Sequence, residues 1–440
     1  MSGGLLSVEA AQATVLAGVE PLDETETLVP DEALGRVLAR PVYATTSLPP
    51  WDNSAMDGYA IRAADVQDAT GSAPVRLTVV GEVRAGRAPD VRVLAHTAVR
   101  IATGAPMPPG ADAVVAVELT TPLDGAGNPG PRGRDAAGPL PAACLVHEPV
   151  AAGDAVRRAG SDVEAGVEVA GAGVGVTPAV VALAAGAGAA TIAVPRRPVV
   201  AVLATGDEVR APGTDLGAAG IPDANGPGLR ALVRDAGAVA LDLGIATDRL
   251  EDVEARLRRG IAAADLVVVS GGVSVGPYDV VRLAFDAVGH VDIWRVAVQP
   301  GKPFAFGRAD VEGRDAPVLL FGLPGNPVSS FVTFELFVRP VIRRLSGHAR
   351  LHRPADVGVL EEPVTKSEGR RGYQRVTALR DATGNPVRDQ AGRVRVRLAG
   401  GQGSHVLSAL AAADALAVIP EPLARAEAGT EVELRWLDRA

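Results

Sequence analysis

A chain of 440 residues suggests about three domains, and 47% hydrophobic with 22% charged residues is the composition of a globular protein with real cores. The formal net charge of −9 argues against a general nucleic-acid binder, so an anionic ligand must be held by backbone N–H groups, a few arginines or a metal. The one cysteine, Cys144, excludes an intramolecular disulfide and a cysteine metal set, and the 3% aromatics leave the cores to small aliphatic side chains.

Residues 1–10 lack the basic region and long apolar run of a signal peptide. No stretch offers about twenty unbroken apolar residues. A soluble cytoplasmic protein without a membrane span is therefore expected. Ser7 is placed to cap a helix whose Val8, Ala11 and Val15 share one face. A second short helix is predicted over residues 31–39. Residues 48–61 contain Pro49-Pro50 and Asp57-Gly58 and read as loop and turn. Short β runs at 77–80, 98–101 and 113–117 suggest an all-β lobe. Residues 121–141 read as a flexible surface loop, and 144–177 as a further small β-rich stretch.

The pattern changes near Pro195. Strands are predicted at 199–203, 239–243, 266–269, 293–298 and 318–321. Between them fall helices at 228–236, 279–285 and 328–344, and one carrying Leu250, Val253, Leu257 and Ile261 on a single face. Alternating strands and helices indicate a doubly wound, mostly parallel α/β domain. After Pro354 short strands and turns return. The fold class is thus multi-domain α/β plus β. Residues 1–47 together with 144–194 form a linking domain and 48–143 a β-rich lobe. Residues 195–347 form the α/β domain and 348–440 a β-type C-terminal domain.

In an open α/β sheet, ligands bind at the carboxyl ends of the strands. Four predicted strands end in Thr205-Gly206-Asp207-Glu208, Thr247-Asp248, Ser270-Gly271-Gly272-Val273-Ser274 leading to Asp279, and Gly322-Leu323-Pro324-Gly325-Asn326-Pro327-Val328-Ser329. Glycines let a backbone approach closely, and their N–H groups with a following helix N-terminus can cradle an anion. Glu208, Asp248 and Asp279 are hard oxygen ligands suited to Mg²⁺ bridging phosphates. Any one loop is as well explained by turn and cap chemistry, and Asp248 stands where an N-cap belongs. All four together point to a phosphorylated ligand. Only two lysines occur, and Lys302 lies in a Gly/Pro loop where it can serve an oxyanion as a point charge or be incidental. Asp57-Gly58 reads as a hairpin turn, and Thr103-Gly104 is equally open. Arg370, Arg371 and Arg375 form either a solvated strand edge or an oxyanion pocket. No HExxH, GxSxG or P-loop spacing appears, which disfavours zinc, serine and P-loop hydrolysis.

Seven segments carry a family resemblance: Leu48-Pro-Pro-Trp-Asp-Asn-Ser-Ala-Met-Asp-Gly-Tyr-Ala60, Thr103-Gly-Ala-Pro106, Gly110-Ala-Asp-Ala-Val-Val115, Thr205-Gly-Asp-Glu208, Ser270-Gly-Gly-Val-Ser-Val-Gly276, Pro300-Gly-Lys-Pro-Phe-Ala-Phe-Gly307 and Gly322-Leu-Pro-Gly-Asn-Pro-Val-Ser329. In these, and on to Gln402-Gly403-Ser404, the chain resembles the molybdopterin molybdenumtransferase family, which includes the C-terminal domain of gephyrin. The resemblance implies insertion of molybdate into adenylylated molybdopterin with release of AMP. It also implies Mg²⁺ as cofactor and a homodimer with the site between subunits. By motif, Glu208, Asp248 and Asp279 would handle metal and pyrophosphate. Ser270, Gly271, Gly272 and Ser274 would hold the pterin phosphate or the adenylate, with Pro324 and Pro327 in the neighbouring segment. Lys302, Ser329, Arg375 and Ser404 would serve molybdate. Asp57 and Thr103 would come from a partner subunit's β lobe. Gln299 and Arg295 stand where many relatives have lysine, and Asp223-Ala-Asn225 matches an Asp-x-Asn loop of the substrate site. A molybdopterin adenylyltransferase and a gephyrin-like scaffold are the alternative functions, the first disfavoured by the long β-rich flanks and the second by the intact strand-end motifs.

Overall fold

The computed structural model describes residues 5–133, 138–271 and 280–437. The chain divides into two compact units, residues 27–35 with 40–192, and the remainder. The first is built on a six-stranded sheet. Its order is Ala113–Ala116, Gly58–Ile61, Thr97–Ile101, Val75–Val83, Ala143–Val146 and Thr120–Leu123. All neighbours run antiparallel except Thr97–Ile101 beside Val75–Val83. Alternate residues feed two cores, Tyr59, Ile61 and Val115 on one face, Ala60 and Val114 on the other, the period of two that a strand imposes.

Three expectations are corrected here. Residues 31–39 form no α-helix: they run as turns, because tertiary carbonyls take their N–H groups. Gly35 donates to Val176 O (2.9 Å) and Ala39 to Ala193 O (2.9 Å). Asp57-Gly58 is not a hairpin turn, since Gly58 begins a strand and pairs with both Ile101 and Ala116. A Cβ at Gly58 would collide with the Val115 carbonyl, so close strand approach is what requires glycine. The loop expected at 121–141 begins inside the strand Thr120–Leu123, and its residues 134–137 lie outside the described set. A helix, Pro178–Gly186, also forms where none was predicted. Thr177 accepts the Val180 N–H (3.3 Å) and Pro178 opens the first turn. Its Ala- and Val-rich sequence has no polar face to mark the period.

The second unit holds the α/β sheet. Its order is Val239–Ala246, Val199–Thr205, Leu266–Ser270, Val318–Leu323, Pro303–Ala309 and His290–Arg295. The first four strands are parallel, and the last two run antiparallel at one edge. Alternation is strict. Val200, Val202, Leu266 and Val268 face a core shared with the helices Val8–Leu16, Asn225–Asp235 and 327–345. Ala201, Leu203, Val267 and Val269 face the helices Leu250–Ala263 and Val280–Val288. Helices on both faces explain why these strands read as unbroken apolar runs. All seven phenylalanines lie between residues 285 and 337. Phe304 packs on Phe337 with ring centroids 4.5 Å apart, so the few aromatics anchor the helix 327–345. Each such buried ring contributes about 1.5–3 kcal/mol. That helix passes through a π turn at Phe334–Val338.

The C-terminal strands close on themselves. Arg371–Ala378, Val394–Leu398, Ala355–Leu360, Glu431–Trp436 and Ala415–Ile419 follow in order, and the first also pairs with the last. This barrel is the expected β-type domain. The short strand Val298–Gln299 leaves the α/β sheet's edge and joins the barrel beside Arg371–Ala378.

Candidate functional site

The four strand ends come together as expected. Ala204 pairs with Ser270, Thr205 with Ala246 and Ser270 with Leu323, all in parallel register. The loops that follow therefore leave from one sheet edge. Gly271 turns there with φ +106°, and its N–H donates to Leu323 O (3.2 Å). Asn225 donates from its amide nitrogen both to Ser270 Oγ and to Gly325 O, each at 2.7 Å. It thereby ties the Ser270 loop to the Pro324 loop. The buried Ser330, which no motif flagged, lies 3.3 Å from Ser270 Oγ and donates to Pro324 O. Asp223 accepts the Gly226 N–H (2.9 Å) and so shapes the start of the Asn225 helix. Asn225→Asp would place a carboxylate against the Gly325 carbonyl and remove both donors. A loss of about 2–4 kcal/mol follows, seen in calorimetry as a midpoint lower by roughly 4–10 °C. An unmoved midpoint would show that the loops are held by other means.

The acidic side of the site differs from the expected capping pattern. Asp248 does not cap its helix: Arg249 is the N-cap, without a side-chain hydrogen bond. Instead Asp207 and Asp248 clasp each other. Asp207 N–H donates to Asp248 Oδ2 (3.2 Å) and Asp248 N–H to Asp207 Oδ1 (3.0 Å). Asp252 takes over the local turn, accepting from Thr247 N–H (2.9 Å) and hydroxyl (3.1 Å). The bond from the Thr247 N–H, with Arg256 beside it, holds the Asp252 carboxyl below its ordinary range. Asp207, Glu208 and Asp248 are all exposed to solvent. Among the described residues no three His, Cys, Asp or Glu side chains close a metal site. Gly272, Ser274 and Asp279 lie outside the described residues.

The basic side gathers on the helix 327–345 and the barrel. Pro327 opens that helix, and its Val328 N–H donates to the backbone O of Ser404 (3.1 Å). The loop 400–405 is thereby docked on the helix N-terminus beside the buried Ser329. Arg375 has no exposed surface at all. Its Nη2 donates to Gly401 O (3.1 Å) and Gly403 O (3.0 Å), while Nε and Nη1 are buried with no hydrogen-bond partner among the described residues. Burial alone pushes its pKa below the ordinary arginine value. Gln402, which the motifs quoted without a role, accepts Arg375 N–H (2.9 Å) and donates to Arg375 O (3.1 Å). Among the described residues no carboxylate pairs with this guanidinium, and a buried unpaired cation costs several kcal/mol. Lys302 is half-buried, and its backbone O accepts Val296 N–H (2.9 Å). Arg295 is exposed, and its backbone O accepts Leu6 N–H (2.8 Å).

Asp57 and Thr103 belong to the N-terminal unit and meet each other there. Thr103 donates to Asp57 Oδ1 from its N–H (2.7 Å) and its hydroxyl (3.0 Å). One carboxylate oxygen is thus fixed by two hydrogen bonds. The signals for the residues missed by motif were present but mute: Asp207 precedes Glu208, and Ser330 follows Ser329. Only the fold shows that they organise the loops.

Comparison with known proteins places this geometry. The model of the MoeA N-terminal region (domain I and II) matches residues 6–188, that of the "Probable molybdopterin binding domain" residues 201–344, and that of the MoeA C-terminal region (domain IV) residues 357–436. The Mycobacterium tuberculosis protein named molybdopterin molybdenumtransferase 2 is 40% identical over 409 residues, 92% of this chain and 93% of that one. The chain belongs to the molybdopterin molybdenumtransferase family. The Haemophilus influenzae molybdopterin molybdenumtransferase is 32% identical over 431 residues, covering 98% of both chains. The crystal structure of a molybdopterin biosynthesis protein from Pyrococcus horikoshii superposes with a TM-score of 0.77 at 29% identity, over 98% of this chain and 99% of that one. The molybdopterin-binding model of this transferase family spans all four strand ends, and the C-terminal model spans Arg375 and Ser404. Among the described residues no helix is long and apolar enough to cross a membrane.

Proposed function

We propose that this chain takes molybdate and adenylylated molybdopterin, inserts molybdenum into the dithiolene and releases AMP, as a cytoplasmic homodimer. The observation that carries the reading is Arg375. It is a fully buried guanidinium whose Nε and Nη1 have no partner among the described residues and which no described carboxylate pairs with, set behind the loop docked on a helix N-terminus. Planar N–H donors in a site closed to water suit a small tetrahedral oxyanion. The N-terminus of the helix 327–345 adds favourable potential. Lys302 and the Ser329 and Ser404 hydroxyls complete the molybdate side. The glycine-bearing loops at the strand ends receive the phosphorylated substrate. Asn225 and Ser330 hold those loops in register, so proximity of the two substrates is a large part of the rate gain.

The described carboxylates fit a divalent ion in chemistry and in exposure, but they do not close a site by themselves. Glu208, Asp248 and Asp279 would hold Mg²⁺, which when bound supplies positive charge to the pyrophosphate. Asp207 fixes the Asp248 backbone for that purpose. The fixed Asp57–Thr103 pair would act on the site of a partner subunit. The adenylyltransferase alternative requires little beyond the α/β domain, and so leaves the buried Arg375 of the barrel without a use. The experiment is AMP release from adenylylated molybdopterin in Glu208→Gln and Asp279→Asn. Both are expected to lose it, with circular dichroism and melting unchanged. Wild-type rates in both variants would sink the assignment.

A further inference from the structure

The loop that carries Lys302 is moored to the barrel at two levels. The first is backbone: Val298 pairs with Arg371 and Gln299 with Gly372 in parallel, and Arg371 N–H donates to Ala297 O (2.8 Å). Any sequence can make those bonds. The second is a side chain: Gln299 Oε1 accepts the Ser367 N–H at 2.8 Å. The same stretch is gripped from behind, where Lys366 donates from Nζ to Ser367 O (3.2 Å) and Glu421 O (3.1 Å). Lys366 is nearly buried, and these two carbonyls hold its ammonium in place. Ser367 is therefore a fixed post, and Gln299 hangs from it.

The geometry along the two strands gives that hydrogen bond a functional direction. Lys302 follows Gln299 by three residues, and Arg375 follows its strand partner Gly372 by three. The two cations proposed to hold the oxyanion thus extend from one pairing, on two different segments. Their separation depends on how the segment 299–302 is held at its start. At its end Val296 N–H donates to Lys302 O (2.9 Å), and the chain enters the strand Pro303–Ala309 that pairs with His290–Arg295.

We propose that Gln299 is a positioning residue: its amide oxygen, anchored on Ser367 N–H, sets where Lys302 stands relative to Arg375 and so tunes the affinity for the oxyanion. This rests on the molybdate reading above. The amide side chain is suited to the post because it is an acceptor with no charge. An ammonium at this position offers no acceptor to Ser367.

The test is steady-state AMP release by the full-length protein with molybdate and adenylylated molybdopterin varied separately. Gln299→Met has nearly the same length and no oxygen acceptor. It is expected to raise KM for molybdate about fivefold to tenfold, the scale of one hydrogen bond. It should leave kcat, KM for the pterin nucleotide and the melting temperature unchanged. Gln299→Asn keeps an uncharged amide acceptor on a side chain one methylene shorter and should give a molybdate KM between wild type and Gln299→Met. An unchanged molybdate KM in Gln299→Met overturns the proposal. So does a rise of both KM values together with a lower melting temperature, which is the mark of a merely structural residue. A wild-type protein whose AMP release ignores molybdate overturns the underlying reading as well; a responsive wild type with an indifferent Gln299→Met variant overturns this proposal alone.

Discussion

Arg375→Met should lose molybdate-dependent AMP release by a factor of about 10²–10³, the cost of removing the charge that a desolvated anion relies on, while the protein melts no lower than wild type. The two halves of that expectation come from the same environment. Arg375 is wholly inside the protein, and among the described residues its side chain bonds to two backbone carbonyls and no carboxylate offsets its charge. Taking the guanidinium away leaves the Gly401 and Gly403 carbonyls without donors, at about 0.5–1.5 kcal/mol each. It also removes an unpaired buried charge, whose desolvation costs several kcal/mol. The second effect equals or exceeds the first, so stability holds or rises. A structural arginine would behave in the opposite way, with stability lost and oxyanion affinity kept. Arg375→Lys separates charge from geometry, because a lysine retains the charge but cannot reach two carbonyls and an oxyanion with one fork. It should fall between wild type and Arg375→Met. Full oxyanion response in Arg375→Met, measured as the dependence of AMP release on molybdate concentration, removes the pocket from the mechanism.

Much of this site was legible in the sequence, and the limit has a physical cause. The strand ends were legible because parallel strands buried on both faces carry unbroken apolar runs, and their loops stand out as Gly- and Asp-rich interruptions. Val199–Thr205 and Leu266–Ser270 are of this kind. The antiparallel strand Pro303–Ala309 was not predicted, since its Gly and Pro neighbours hid its period. The segment 31–39 looked helical because local propensity favours it, but partners far along the chain took its N–H groups. At the site, residue types announced which side chains are charged and not what they touch. Asp248 stands at a capping position and instead clasps Asp207. Arg370, Arg371 and Arg375 form one cluster in sequence, yet their environments diverge. Arg371 pairs with Glu9 and Glu421, while Arg375 pairs with no acid among the described residues. The two share one face of the strand Arg371–Ala378, so the fold around each position makes that distinction, and neither alternation nor the composition of the cluster does.

Gly271→Ala is expected to damage both the fold and the site. At φ +106° an L side chain is strained, at about 1–3 kcal/mol. The added Cβ would lie 2.6 Å from Thr205 Oγ1 and 2.7 Å from Thr205 O. The hydroxyl can rotate away. The carbonyl cannot, because it belongs to the strand Val199–Thr205, which is paired on both sides. Relief therefore requires moving either that strand or the loop, and overpacking adds about 1–3 kcal/mol more. A total of roughly 3–5 kcal/mol should appear as a lower urea midpoint with little change in slope. AMP release should fall further than the unfolded fraction explains, because Ser270 and the Asn225 bridge move with the loop. Thr205→Ala in the same chain should recover only part of the loss, since it removes Oγ1 and leaves the carbonyl. The neighbouring Gly325 provides the contrast. Its backbone is not in the left-handed region, and a Cβ there would make only an ordinary 3.7 Å contact with Gly271 Cα. Gly325→Ala should stay within about 1 kcal/mol of wild type. Equal damage from the two substitutions would mean that these loops need glycine for motion, and that the fixed approach of Gly271 to Thr205 is not what shapes the site.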